Sequence, residues 1–344
     1  AIFISHLGIG NLGVLGAWGV SVFLVLSGFL MVNSYWFKDK QPEFGVKFVY
    51  YKIKRLYPLH IATMLCAALF RVYYILIGRE TYPKLLLDIS LHITLTQIWI
   101  PNGLYYNTLN GVAWYLCACA FSYLCFPIIL KKLRKVESRK KVLLWLMSLL
   151  AIESMISVLA FFVGSPDKKA ILSAQWITYY CPLSRLVDFC IGCCLGYLYI
   201  YREELGQNRN IYYLFEVIVC IMIILSWYTY ACRISPFGSE YVKYSLLFIG
   251  TTVALIWFIA IGRGVISTLL SNRILCWIGN ISSYAFLIHS VVIEYLRSIL
   301  GHLNMLNGLT ITILSAILTV GATVVWMKIE SVYQKRKATL NKAY

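Results

Sequence analysis

An all-α, polytopic membrane bundle is the fold class that this sequence predicts, on three observations. Nine mostly apolar stretches, each near the ~20 helical residues that span a ~30 Å hydrocarbon slab, follow one another along the chain. The 344 residues are 60% hydrophobic and only 13% charged, against about 25% charged in a soluble domain. The cations fall in alternate short loops, which is how membrane proteins set their orientation.

The stretches are 18–36, 58–78, 111–130, 142–163, 183–201, 211–231, 243–262, 280–300 and 308–328. Residues 1–7 are too short to span and the chain has no initiator Met, so they read as the end of a truncated first helix, for about ten spans in all. A less apolar stretch, 82–100, is expected at the interface or as a re-entrant segment. Residues 1–344 then form a single membrane-embedded domain, with no soluble domain, long linker or cleavable signal.

The formal charge of +17 could suggest a nucleic-acid partner, but its distribution excludes one. Lys38, Lys40, Lys47, Lys52, Lys54 and Arg55 fill one loop, and a second run lies between Lys131 and Lys141. Arg202 with Arg209, Arg263 with Arg273, and Lys335 to Lys337 continue on the same side. The intervening loops carry few cations. A multi-pass protein of the cell membrane with both termini in the cytoplasm is the expectation.

Several motifs reduce to packing. Gly8-Ile9-Gly10-Asn11-Leu12-Gly13 matches the dinucleotide-binding pattern only literally, because no strand or βαβ unit surrounds it. Gly192-x-x-x-Gly196 fits a close helix contact. The eleven cysteines are mostly intramembrane, odd in number and without a zinc spacing, so neither a disulfide framework nor a metal site is expected.

Ionisable groups inside the apolar stretches carry the functional signal, since such groups are costly in a bilayer. His289 lies near the centre of its stretch, in Ser282-Ser283-Tyr284-Ala285-Phe286-Leu287-Ile288-His289. His6 follows Ser5 late in the first helix. Arg185 and Asp188 stand one turn apart and can pair, as can Glu294 and Arg297, while Glu153 and Arg71 sit deep in their own stretches. Together they predict a polar cavity open to the outer side. Lys52-Ile53-Lys54-Arg55-Leu56-Tyr57-Pro58 reads in two ways: as an anchor to anionic lipid, or as a clamp for a phosphorylated cytosolic ligand.

These residues resemble the integral-membrane acyltransferase family 3, which includes O-acetyltransferases of bacterial surface polysaccharides. Ile4-Ser5-His6 resembles the end of the family's first-helix motif. Gly19 to Leu30 is similar to its glycine- and phenylalanine-rich second helix, ending here in Leu26-Ser27-Gly28-Phe29-Leu30. Lys52 to Pro58 resembles the cytoplasmic R-x-x-R-x-x-P element, with Lys52 in place of the first Arg. Asn110 to Leu116, with Trp114, Tyr115, Tyr123 and Pro127, resembles the W-x-L…Y…P helix, with Cys119 where a Glu is frequent. Arg185 to Gly192 and Trp277 to His289 resemble two further blocks, in the family's order.

The resemblance implies acyl transfer across the membrane. Acetyl-CoA, or another acyl-CoA, is the implied co-substrate, held from the cytoplasm near Lys52 and Arg55. The acceptor is implied to be a hydroxyl of an extracytoplasmic glycan or lipid-linked sugar. His6 takes the role of general base, and Trp114, Tyr115, Arg185, Asp188, Tyr284 and His289 are the expected acceptor or cavity residues. Tyr115, Ser27 and Ser283 are candidate donors to the developing oxyanion. The alternative is a glycan or lipid transporter or flippase without acyl transfer, which loses ground because no internal repeat is visible.

Overall fold

The computed structural model describes residues 2–7, 13–39, 41–78, 80–202, 209–234, 241–242, 246–303 and 307–343. In chain order the helices are α1 (Ile2–His6), α2 (Val14–Tyr35), α3 (Val46–Ile53), α4 (Tyr57–Leu76), α5 (Tyr82–Thr94), α6 (Gly103–Tyr106) and α7 (Trp114–Arg134). They continue with α8 (Arg139–Val163), α9 (Pro182–Ile200), α10 (Arg209–Ala231), α11 (Leu246–Ile261), α12 (Val265–Leu270), α13 (Arg273–His302) and α14 (Gly308–Ala343). Among the described residues there is no strand, only an isolated bridge between Ser165 and Ser173. The all-α polytopic bundle expected from sequence is therefore the architecture.

Among the described residues, eight helices are long and apolar enough to cross a bilayer: α2, α4, α7, α8, α9 with the turn before it, α10, α13 and α14. The stretch expected at 243–262 is met by α11, which has 16 described residues. The first helix is represented by the five residues of α1. Residues 82–100 fold as α5 and a short 3₁₀ turn at Gln97–Trp99, not as a span. The glycine motif at residues 8–12 lies outside the described residues.

Backbone hydrogen bonding explains why the apolar stretches are helices. Only a helix satisfies every N–H and C=O within one segment, and lipid supplies no partners. Pro58, Pro83 and Pro182 sit in first turns, where a missing N–H is harmless. At the other end of α2, the Arg134 guanidinium donates to the Tyr35 and Trp36 carbonyls, groups that helix termini leave unpaired.

The core is organised around α9, which packs on α2, α7, α8 and α11. Its tightest neighbour is α2. A Cβ on Gly28 would strike the Phe189 carbonyl oxygen, and one on Gly192 would strike the Val25 carbonyl oxygen. The two backbones therefore touch through matched glycines, the small-residue contact that replaces hydrophobic driving force between helices in lipid.

An ion pair fastens the same interface. Arg185 Nη1 donates to Asp188 Oδ2 at 2.5 Å, and both side chains are 0% exposed. Ser21 of α2 donates its hydroxyl to Asp188 at 3.4 Å and accepts from Arg185 at 3.3 Å. Arg185 Nη2 donates to the Thr178 carbonyl at 2.7 Å, in the π-helical turn Trp176–Tyr180 that precedes α9. Ser184 donates to the Ile177 carbonyl of that turn at 2.6 Å.

Two predictions follow from this interface. Gly192→Ala forces apart backbones that have no flexible side chain to yield, so it should cost about 1–3 kcal/mol, read as lower folded yield and a lower unfolding temperature in detergent. Arg185→Ala leaves Asp188 buried beside Ser21 without its counter-charge. The expected loss is about 3–5 kcal/mol, and the same assay should show partial recovery when Asp188→Leu is added.

Candidate active site

The site grows from the contact of α1 with α13. α1 ends in His6, and α13 carries His289 on the face toward it. The two imidazole rings meet edge to face at 5.0 Å between centroids. Phe3 and Phe286 flank His289 at 5.9 and 5.8 Å. Arg297, two turns further along α13, donates to the His6 backbone carbonyl at 2.8 Å and so fixes the end of α1. The two histidines, remote in sequence, are thus brought together.

Their surroundings differ. His6 lines a cavity of about 490 Å³ with Tyr74, Ser290, Glu294, Arg297 and Ser298. It also lines a second cavity of about 280 Å³, with Ser5, Asn107, Trp114, Lys168, Gln175, Tyr179 and Tyr180. His289 instead faces an apolar cleft of about 650 Å³ between α1, α2, α11, α13 and α14. His289 Nδ1 donates to the Ala285 carbonyl at 3.1 Å, so in the neutral tautomer the ring's proton is on Nδ1. Nε2 is then an acceptor, and it has no partner among the described residues.

The aromatic wall of the second cavity depends on the turn before α9. Trp114 packs on Tyr179 and Tyr180 at 4.7 and 4.8 Å, and Tyr106 packs on Tyr180 at 4.2 Å. Tyr115 lies one layer deeper, against Phe286 and Phe23 at 5.4 and 6.2 Å. Trp114 and Tyr115 are therefore both near the histidines. Tyr179 and Tyr180 were not singled out from sequence, because nothing in Trp176-Ile177-Thr178-Tyr179-Tyr180 signals that a π-turn will aim them inward.

Other expected site residues lie elsewhere. Arg185 and Asp188 pair with each other in the α2–α9 core and line none of the three cavities that adjoin the histidines. Tyr284, expected in the acceptor cavity, points away from it. Its hydroxyl donates to Glu330 Oε2 of α14 at 2.5 Å, and Arg55 pairs with Glu330 Oε1 at 3.3 Å. The Arg55 guanidinium lies 5.1 Å from the Tyr284 ring centroid. A helix turns by about 100° per residue, so Tyr284 and His289 leave α13 in different directions despite their closeness in sequence. Glu330 was overlooked because it lies beyond the last apolar stretch, where acids are ordinary.

Lys52 and Arg55 take different neighbours. Lys52 Nζ sits over the Tyr35 ring at 4.3 Å, sharing it with Lys38 at the same distance. Burial, with the nearby Lys38 charge adding, holds the Lys52 ammonium below the usual lysine range. An anion beside these two cations would offset their mutual repulsion and favour the charged form of Lys52. Among the oxyanion-donor candidates, Ser27 is engaged with the Tyr123 hydroxyl at 3.1 Å and Ser283 is exposed. Among the described residues no cluster of ligating side chains suits a metal ion.

Comparison with known proteins agrees with this frame. A family model described as an acyltransferase domain matches residues 1–327. Acyltransferase MdmB of Streptomyces mycarofaciens is 27% identical over 197 residues, 54% of this chain and 47% of that protein. The alignment thus spans about half the length of this curated relative. No solved structure matches the chain significantly. With nearly its whole length matched, the chain belongs to the acyltransferase family that its sequence blocks resemble.

Proposed function

We propose that this multi-pass membrane protein moves an acyl group, acetyl in the simplest case, from cytoplasmic acyl-CoA to a hydroxyl of an extracytoplasmic glycan or lipid-linked sugar. One observation carries the reading: the His6–His289 contact stands where polar cavities meet an apolar cleft. A reaction between a hydrophilic acceptor and a donor from the other side of the bilayer needs such a wall between two chambers. Family membership and the printed activity of the Streptomyces relative support acyl transfer. The alternation of cationic loops supports cytoplasmic termini and donor entry from that side.

In this reading His6 is the base. It opens to the polar cavities, where a sugar hydroxyl approaches, and a neutral imidazole is available near pH 7. The imidazole takes the hydroxyl proton as the oxygen attacks the thioester carbonyl. The carbon–sulfur bond then breaks, and the CoA thiolate recovers a proton. Trp114, Tyr179 and Tyr180 offer ring faces to the sugar, and Asn107, Lys168 and Gln175 offer polar groups. Tyr115 and His289 support the site from behind. Arg185 and Asp188 serve it by fixing the turn that bears the tyrosines. Lys52 and Arg55 attract the donor's phosphates at separate points of the cytoplasmic face, and residues 1–344 work as one membrane-embedded domain.

The reading is tested with radiolabelled acetyl-CoA and membranes containing the protein, following label from CoA to glycan. His6→Ala should lower transfer about 10²–10⁴-fold, the range for a positioned base, with expression and acyl-CoA binding nearly intact. His289→Ala should be the milder lesion. A His6→Ala protein that transfers at near the wild-type rate overturns the assignment and moves the base to His289. Arg55→Ala should raise the apparent KM for acyl-CoA about tenfold, as loss of a charge-assisted contact implies, and change that for the acceptor much less. Unchanged donor KM in a folded variant makes Arg55 a partner of Glu330 only.

A further inference from the structure

The apolar cleft beside His289 has no assigned occupant in the reading above. It follows one face of α13 from Trp277 through Ser282 and Ala285 to His289. At 1.5 Å per helical residue this run is about 18 Å long. One end lies a helical turn from Arg273, on the cation-rich face of the bundle. The other end reaches the His6–His289 contact.

Its walls are mostly hydrocarbon, yet three buried polar atoms in them have no partner among the described residues. They are Trp18 Nε1, Thr319 Oγ1 and His289 Nε2. Thr319 and His289 are only 3% and 2% exposed. An unmet buried polar group costs about 1–3 kcal/mol, so three in one cleft mark a ligand that supplies hydrogen bonds as well as hydrocarbon. Their chemistry is mixed: the indole N–H donates, the hydroxyl does either, and His289 Nε2 accepts. A lipid tail or plain acyl chain satisfies none of them.

We propose that this cleft binds the pantetheine arm of the acyl-CoA donor, which deepens the acyl-transfer reading and rests on it. The arm is long, narrow and largely aliphatic, and it carries a pair of amides and a hydroxyl along its length. Seated between α2, α13 and α14, it brings the thioester to the histidines. The nucleotide phosphates stay at the cationic mouth, where Arg273 joins the residues that receive them. Trp18 and Thr319 are donor-binding residues.

The test compares acetyl-CoA with a short donor, the acetyl thioester of N-acetylcysteamine, which lacks the nucleotide and most of the arm. Thr319→Val and Trp18→Phe should each raise the apparent KM for acetyl-CoA about two- to tenfold, the range for one net hydrogen bond. The KM for the acceptor should stay at its wild-type value, and the short donor, which keeps one of the arm's two amides, should lose less than acetyl-CoA does. Ala285→Trp should obstruct acetyl-CoA far more than the short donor, with monodispersity in detergent as its folding control. A changed preference among acyl-chain lengths, with acetyl-CoA KM unmoved, overturns the proposal and makes the cleft an acyl-tail pocket. A change confined to acceptor KM overturns it in favour of an acceptor lipid tail. No change in Thr319→Val and Trp18→Phe means a groove filled by bilayer lipid. If the wild-type protein uses neither thioester, the acyl-transfer reading itself fails, which separates that failure from these.

Discussion

The crossing of α2 and α9 is the constraint on which the rest of the bundle depends. Lipid tails are as apolar as leucine, so helices in a membrane gain little by hiding hydrocarbon from each other. They gain by close packing and by polar contacts, and this crossing uses both. Gly28 and Gly192 bring the backbones together. Ser21, Arg185 and Asp188 then make a polar contact that is buried from solvent. A buried ion pair adds little net stability over an apolar substitute, but breaking one partner is severe. Its value here is geometric, because it admits one register of α9 against α2.

That register builds the site at a distance. Arg185 also holds the Thr178 carbonyl, so the π-turn before α9 is fixed relative to α2. The turn carries Tyr179 and Tyr180 onto Trp114, and α2 supplies Trp18 and Val20 to the cavities around the histidines. Arg297 sets the end of α1 from the other direction, by its bond to the His6 carbonyl. The histidines meet between two independently anchored surfaces. A residue without contact to substrate can therefore be as important to activity as one that touches it.

The division of the interior into wet and dry chambers suits the proposed chemistry. His6 faces serine, glutamate, arginine and tyrosine side chains, while His289 faces mostly hydrocarbon. A low-dielectric pocket strengthens every polar contact made inside it and makes an unpaired polar atom costly. Under the proposed reading, three such atoms on the apolar side line the donor's path, which is distinct from that of the acceptor.

Much of the fold was legible in the chain. Apolar length near that of a bilayer predicts the helices, because lipid leaves the backbone no other way to satisfy itself. The same argument singled out His289, Glu153, Arg185 and Asp188 as residues with a reason to be there, and blocks such as Ser27-Gly28-Phe29 carried the family. What those charged residues do was not legible. Arg185 and Asp188 read equally well as a cavity wall, and only the position of Ser21 on a neighbouring helix shows them spent on packing. Tyr284 and His289 looked like one site, yet the pitch of α13 sends one to Arg55 and Glu330 and the other to His6. The sequence by itself determined which segments are helices and which groups are too polar for lipid, since both follow from local composition against bilayer thickness. The tertiary structure alone decided which of those groups meet, because that depends on helix rotation and register, set by contacts between residues more than a hundred positions apart.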